Sequence, residues 1–215
     1  GQKHMINTIL VEDNLYVQKV LKAMIESDER FRLTATFTDA FEAEKLCAYG
    51  KTDLVLMDVQ TQNNHSGLAA GKRIKEASPR TKVVIVTSLV DPDVLKKARN
   101  GAADSLWYKD HGTKDIIDVM VRTMNGERVF PDSSPNVTLK DIFSEDLSPK
   151  QMKILRYFVK GYTYEEIAQE LDMTKRNVRW HLDNIVEKSG FENKYELLIA
   201  LIDSKLIVAN LTDEE

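Results

Sequence analysis

The chain has 215 residues, 42% of them hydrophobic and 30% charged, with 9 Gly and 5 Pro; at roughly 100–200 residues per domain this is one large domain or two small ones, and collagenous, disordered and low-complexity classes are excluded. No apolar run approaches the ~18 residues that span a bilayer, and Cys47 is the single cysteine, so neither an internal disulfide nor a cysteine metal cluster can form. A net charge of −4 argues against a protein that coats nucleic acid nonspecifically.

Residues 1–4, ahead of Met5, lack the apolar core of a secretory signal, so the expected location is cytoplasmic, away from membranes. Up to residue 125, short β-branched runs alternate with helical patterns. The runs are Ile6–Val11, 33–37, Leu54–Met57, 83–86 and Ser105–Tyr108. Between them lie amphipathic stretches at 16–25, 40–49, Gly67–Ala77, 94–99 and Ile116–Met124. Such β-α repeats predict a doubly wound, five-stranded parallel sheet covered on both faces, with ligands beyond the carboxyl ends of its strands.

Those ends carry chemistry. The first run is followed by Glu12-Asp13, the third by Asp58, the fourth by Thr87-Ser88 and the fifth by Lys109. Carboxylates crowded in one crevice repel one another unless a cation neutralises them, and an all-oxygen hard site suits Mg²⁺. A carboxylate nucleophile, a hydroxyl, an ammonium and a metal site are the parts needed to accept a phosphoryl group. Taken singly they have ordinary readings, as helix caps or solvated charges; together at successive strand ends they point to one site.

Residues 5–125 resemble the receiver domain of two-component response regulators, through the acidic pair, the Asp after "LVLM", the hydroxyl after "VVIV" and the Lys in "LWYKD". The resemblance implies a flavodoxin-like fold and phosphoryl transfer to Asp58 from a sensor histidine kinase or a small phosphodonor. It further implies Mg²⁺ held by Glu12 or Asp13, by Asp58 and by the Gln60 carbonyl, with Thr87 and Lys109 on the phosphoryl oxygens. The chain departs from the pattern twice. The loop from Asp58 to Gly67 is one residue longer than usual and lacks its Met-Pro pair, and Leu106 stands where the family carries an aromatic switch residue.

From 126 to 146 the periodicity fails amid Pro131, Ser133, Ser134 and Pro135, which predicts a linker. Beyond it only helices are expected, an all-α domain of four over 147–211: Pro149–Val159, 164–171, Lys175–Ser189 and 194–206. Net charge does not separate the parts, with 20 Lys and Arg against 22 Asp and Glu before residue 147, and 10 against 12 after. Positive charge instead gathers on 174–190, where Lys175, Arg176, Arg179 and Lys188 face Asp183 and Glu187. Val178, Leu182 and Ile185 form the inward stripe of that helix, so Arg176, Arg179, Trp180 and Asp183 point outward.

This region resembles the LuxR-type helix-turn-helix of the NarL/FixJ response regulators, through Gly161, Glu166-Ile167-Ala168, Leu171, Thr174, Val178-Arg179, His181-Leu182 and Asn184-Ile185. The resemblance implies that Lys175–Ser189 enters the major groove of promoter DNA. Lys175, Arg176, Asn177 and Lys188 would lie mostly on phosphates, with Arg179, Trp180 and Asp183 nearest base edges. His181 lies beside the inward stripe, where a structural role is as well founded as a contact. The last helix carries a second apolar stripe of Tyr195, Leu198, Leu201 and Ile202, part of which must be core; in relatives the corresponding helix pairs two copies, so a homodimer on activation is expected. The expected protein is a DNA-binding response regulator, not an enzyme, whose receiver, phosphorylated at Asp58, controls dimerisation and DNA binding. Two alternatives are a regulator with a degenerate receiver that acts without phosphorylation, and a Mg²⁺-dependent phosphohydrolase with Asp58 as nucleophile. Against the hydrolase, Gln60 stands where a second carboxylate would be needed as general acid.

Overall fold

The computed structural model describes residues 4–111 and 114–211. Contacts divide these described residues into two units, one drawn from 4–88, 93–133 and 210–211, the other from 89–92 and 134–209.

The first unit is built on five parallel strands, β1 (Ile6–Val11), β2 (Phe31–Phe37), β3 (Leu54–Met57), β4 (Lys82–Thr87) and β5 (Ser105–Tyr108), in the order β2-β1-β3-β4-β5. Between them run α1 (Leu15–Glu26), α2 (Ala40–Cys47), α3 (Gly67–Ala77) and α4 (Pro92–Lys97), with α5 (Ile116–Met124) last. Every residue of β3 is buried, as expected of a central strand with helices on both faces, whereas the edge strand β2 alternates. Leu10, Leu56, Val84 and Val86 pack on Leu21 and Ile25 of α1 and on Ile116, Val119 and Met120 of α5. The alternate residues Ile9, Val55, Val83 and Ile85 point to the other face and are equally buried.

This topology assembles the site. Strand order reverses between β1 and β3, and their register pairs Val11 with Met57, so Glu12 and Asp58 leave the sheet side by side. Thr87 pairs with Tyr108, which brings Lys109 just beyond the end of β4. The bounds of several elements differ from the sequence reading by one to three residues, α9 for instance ending at Asp203 and not at 206, and two of the differences have a physical cause. β2 begins at Phe31 because burial of that side chain, at 4% exposure, outweighs the charged Arg32 beside it. The helical stretch expected over 94–99 starts at Pro92 and widens into a π-type turn over Ala98–Ala102, closed by Gly101 at φ 132°.

The second unit contains α6 (Pro149–Val159), α7 (Tyr164–Glu170), α8 (Lys175–Ser189) and α9 (Lys194–Asp203). Side-chain caps define the starts: Ser148 and Gln151, and Thr163 and Glu166, form reciprocal boxes, Thr174 caps α8, and Asn193 caps α9. Gly190 ends α8 in the left-handed region at φ 80°. The stretch expected as a linker holds a hairpin, β6 (Thr138–Leu139) with β7 (Ile142–Phe143). Leu139, 2% exposed, joins Leu147, Leu155, Ile167, Val178, Leu182, Ile185, Leu197 and Leu201 in the helical core. Strands of two residues are too short to show a period, which is why composition alone reads this segment as linker. Within the same unit the Arg156 guanidinium grips Asp91 through two nitrogens, at 2.6 and 3.0 Å, and the Val208 N–H donates to the same carboxylate. Among the described residues no helix is long and apolar enough to cross a membrane.

Candidate functional site

At the carboxyl ends of β1 and β3, ligand oxygens of Glu12, Asp13 and Asp58 lie within 4.8 Å of one another. Glu12 and Asp58 are buried and Asp13 is exposed. The backbone fixes each: Glu12 N–H donates to the Phe37 carbonyl and Asp58 N–H to that of Val11. Lys109, whose N–H donates to the Thr87 carbonyl at 2.9 Å, turns its ammonium back onto the site. There Nζ donates to Glu12 and lies 3.5 Å from Asp58 Oδ2. Thr87 is fully buried at the end of β4. Gln60 is exposed, two residues past Asp58.

The electrostatics sort these groups. Burial, reinforced by the neighbouring Glu12, pushes Asp58 well above the usual carboxylate range despite the pull of Lys109. Burial opposes the Glu12 carboxylate too, but its hydrogen bonds with Asp58 and Lys109 outweigh that, and Glu12 titrates below its ordinary value. Desolvation and the adjacent Glu12 raise Asp13. Burial works against the Lys109 ammonium, yet Asp58 and Glu12 hold its pKa up. Three carboxylates share one ammonium, so the cluster carries surplus negative charge, and its oxygen-only donor set fits a small hard divalent cation.

The loop following Asp58 absorbs its extra residue in one turn of 3₁₀-helix over Gln62–Asn64, with Asn63 and Asn64 both left-handed. Gly67 closes the loop. Its N–H donates to the Val59 carbonyl at 2.7 Å, and a Cβ there would stand 1.7 Å from the Asp58 carbonyl oxygen, so only glycine fits. Leu106, at the expected switch position, is 2% exposed and belongs to the sheet core.

In the second unit α8 buries Val178, Leu182 and Ile185 and exposes Lys175, Arg176, Asn177, Arg179, Trp180, Asp183 and Lys188. With Glu187 also exposed, four cations stand against two acids on the solvent side of this helix. Lys175 is tied to Glu165 at 3.1 Å, an exposed pair of small energetic weight. The Arg179 guanidinium lies 5.7 Å over the Tyr164 ring, and Lys194 Nζ covers the same ring at 4.7 Å. Tyr164 and Lys194 therefore extend this face; the sequence signals were an aromatic directly after the Thr163 cap and a lysine directly after the Asn193 cap. His181 is half-buried against Trp180, and desolvation together with Lys150 lowers its pKa. On α9, Leu197 and Leu201 are core, while Tyr195, Ile199 and Ile202 are exposed.

Comparison with known proteins adds two family matches, the response regulator receiver domain over residues 8–121 and bacterial regulatory proteins, luxR family, over 145–201. The response regulator protein VraR of Staphylococcus aureus (strain NCTC 8325 / PS 47) is 27% identical over 211 residues, covering 94% of this chain and 99% of its own. RcsB from Salmonella enterica serovar Typhimurium, solved bound to promoter P1flhDC in the presence of phosphomimetic BeF3-, superposes with a TM-score of 0.62 at 21% identity, covering 92% of this chain and 98% of that one. A structure of two RcsB dimers bound to two parallel DNAs gives 0.61 at 20% identity, with 93% and 98% covered. At these identities the structural likeness is one of fold.

Proposed function

The chain belongs to the response regulators, a receiver domain followed by a luxR-family DNA-binding region, and on that premise we propose that phosphorylation of Asp58 controls its dimerisation and its binding to promoter DNA. It is a DNA-binding regulator of transcription rather than an enzyme. The receiver spans 5–125 and the helix-turn-helix domain 147–211, with the hairpin of β6 and β7 attached to the latter. The observation that carries the reading is the juxtaposition of Asp58 with Glu12, Asp13 and Lys109 at the ends of three strands.

A carboxylate oxygen of Asp58 attacks phosphorus. A new P–O bond forms as the donor's bond breaks, to the imidazole nitrogen of a sensor histidine kinase or to the acetate oxygen of acetyl phosphate. Lys109 balances charge gathering on the phosphoryl oxygens, and the Thr87 hydroxyl donates to one of them. Glu12, Asp13, Asp58 and the Gln60 carbonyl would hold Mg²⁺, which when bound neutralises the carboxylates and the incoming phosphoryl group. The α8 face enters the major groove of DNA: Lys175, Arg176, Asn177 and Lys188 meet phosphates, and Arg179, Trp180 and Asp183 face base edges. Tyr195, Ile199 and Ile202 on α9 are the apolar surface through which two copies pair. A cytoplasmic location suits this work.

The test compares wild type with Asp58→Ala, with and without acetyl phosphate and Mg²⁺, by light scattering and by retention of duplexes selected from a random pool. Acetyl phosphate should raise both dimer fraction and retention in wild type alone. An equal rise in Asp58→Ala, or no rise in either, would replace this reading with phosphorylation-independent binding.

A further inference from the structure

Beyond the groups that meet the phosphoryl site lies a polar clamp, buried at Asp39 and reaching out to His65 and Asn63, on the loop that follows the acceptor. Asp39, 8% exposed, caps α2 through Phe41 N–H and also holds the loop tip. Asn63 Nδ2 donates to one of its oxygens at 2.8 Å, and His65 Nδ1 lies 2.7 Å from the other. A carboxylate only accepts, so Nδ1 carries the proton. The His65 ring stacks on Phe41 at 3.4 Å and 13°, and the Arg73 guanidinium lies 5.3 Å from the centre of the Phe41 ring. The Thr61 hydroxyl donates to the His65 carbonyl and accepts from Ala40 N–H, and Gln62 N–H donates to the Thr38 carbonyl. The tip is therefore bound to the start of α2, while the neck is closed beside Asp58 by Gly67 and Val59.

Gln60 sits between tip and neck, bridged to Ser66. The flanking bonds run from Thr61 N–H to the His65 carbonyl and from Gly67 N–H to the Val59 carbonyl. Gln60 thus occupies the non-hydrogen-bonded position of the bridge, which leaves its own carbonyl out of the ladder. The longer loop has no proline to stiffen it, and two successive left-handed asparagines each cost free energy unless the surroundings hold them.

We propose that Asp39 and His65, with Asn63, are positioning residues that hold the Gln60 carbonyl in place for the divalent cation, in the role a shorter, proline-bearing loop would fill by its own stiffness. The proposal rests on the metal-site reading above and deepens it. Groups that orient a metal ligand typically change affinity about 10–100-fold when removed. His65→Ala should therefore bind divalent cation about tenfold more weakly. His65→Asn, which restores an N–H the same number of bonds from Cα, should return to within about twofold of wild type. Asn63→Gly keeps the left-handed backbone, loses one bond to Asp39, and should weaken binding several-fold.

The probe is Mn²⁺ alone with the full chain, free ion being counted by electron paramagnetic resonance and displaced with Mg²⁺. Labelling by acetyl phosphate at saturating Mg²⁺ should stay near the wild-type rate in His65→Ala, because the defect lies in metal affinity. Unchanged Mn²⁺ affinity in both His65→Ala and Asn63→Gly, whatever their melting temperatures, would overturn the clamp. Failure of His65→Asn to recover would also overturn it. Wild-type affinity no higher than that of the double variant Glu12→Ala/Asp13→Ala would instead overturn the metal site itself.

Discussion

Replacing Gly67 with Ala would put a methyl carbon 1.7 Å from the carbonyl oxygen of Asp58 and 2.8 Å from its carbonyl carbon. Non-bonded atoms come to rest near 3.5 Å, so the two backbones must part by about 1.5–2 Å. Neither is the free end of a side chain. The overlap costs about 1–3 kcal/mol, and losing the 2.7 Å bond from Gly67 to Val59 adds about 1 kcal/mol. A unit of this size should then melt about 10 °C lower. Because the displaced residue is the proposed phosphoacceptor, and a misplacement of about 1 Å can cost 10²-fold, labelling by acetyl phosphate should slow by about two orders of magnitude. Gly71→Ala supplies the control, since its Cβ would meet the Ala102 carbonyl at 2.3 Å, away from the acceptor loop. It should lower the melting temperature while labelling proceeds at the wild-type rate below the transition. Calorimetry and intact-mass kinetics on both variants give the answer. A Gly67→Ala chain that melts and labels like wild type, or a Gly71→Ala chain that loses labelling equally, would refute the geometric argument.

Arg156→Ala leaves the Asp91 carboxylate fully buried without its guanidinium and should destabilise the second unit by about 3–5 kcal/mol in urea; a loss under 1 kcal/mol would show the pair to be water-accessible in solution. Asp58, held above its ordinary value by burial and Glu12, favours the fold at low pH and loses that contribution as pH rises through the native pKa. Asp58→Ala in chelator should therefore gain stability relative to wild type as pH rises above about 4, the ordinary carboxylate range, and a pH-independent difference would contradict this. Arg179→Ala should cost about 1–3 kcal/mol on a preferred duplex and flatten discrimination against mismatched ones. Lys188→Ala should weaken all duplexes alike and make the log–log salt dependence shallower by about one unit. Identical isotherms for both variants and wild type would return α8 to a merely solvated helix.

Much of the architecture is legible because its signals are local. Buried runs such as Val83–Val86 announce central strands, and the Ser148 and Thr174 caps announce two helix starts within a residue. The acidic cluster is legible because doubly wound sheets place strand ends together, so a sequence position is already a place in space. What escaped depends on pairing across the chain. Leu139 is core only because a two-residue hairpin folds it under the helices, and Asp39 looks like a plain helix cap until Asn63 and His65 arrive from 24 and 26 residues away. Asp91 and Arg156 stand 65 positions apart, with no periodic signal linking them. On α9 the amphipathic pattern identified an apolar stripe but not its division, since Leu201 and Ile202 look alike in sequence and only packing buries the first.

The central claim is that Asp58 is the residue that takes up the phosphoryl group. Intact-mass spectrometry of the full chain after incubation with acetyl phosphate and Mg²⁺, followed by hydroxylamine treatment and peptide mapping, addresses it directly. The account predicts one acid-stable, hydroxylamine-sensitive phosphoryl adduct, mapped to Asp58 and absent from Asp58→Ala. An unmodified wild-type chain, or an adduct on another residue that persists in Asp58→Ala, would contradict it.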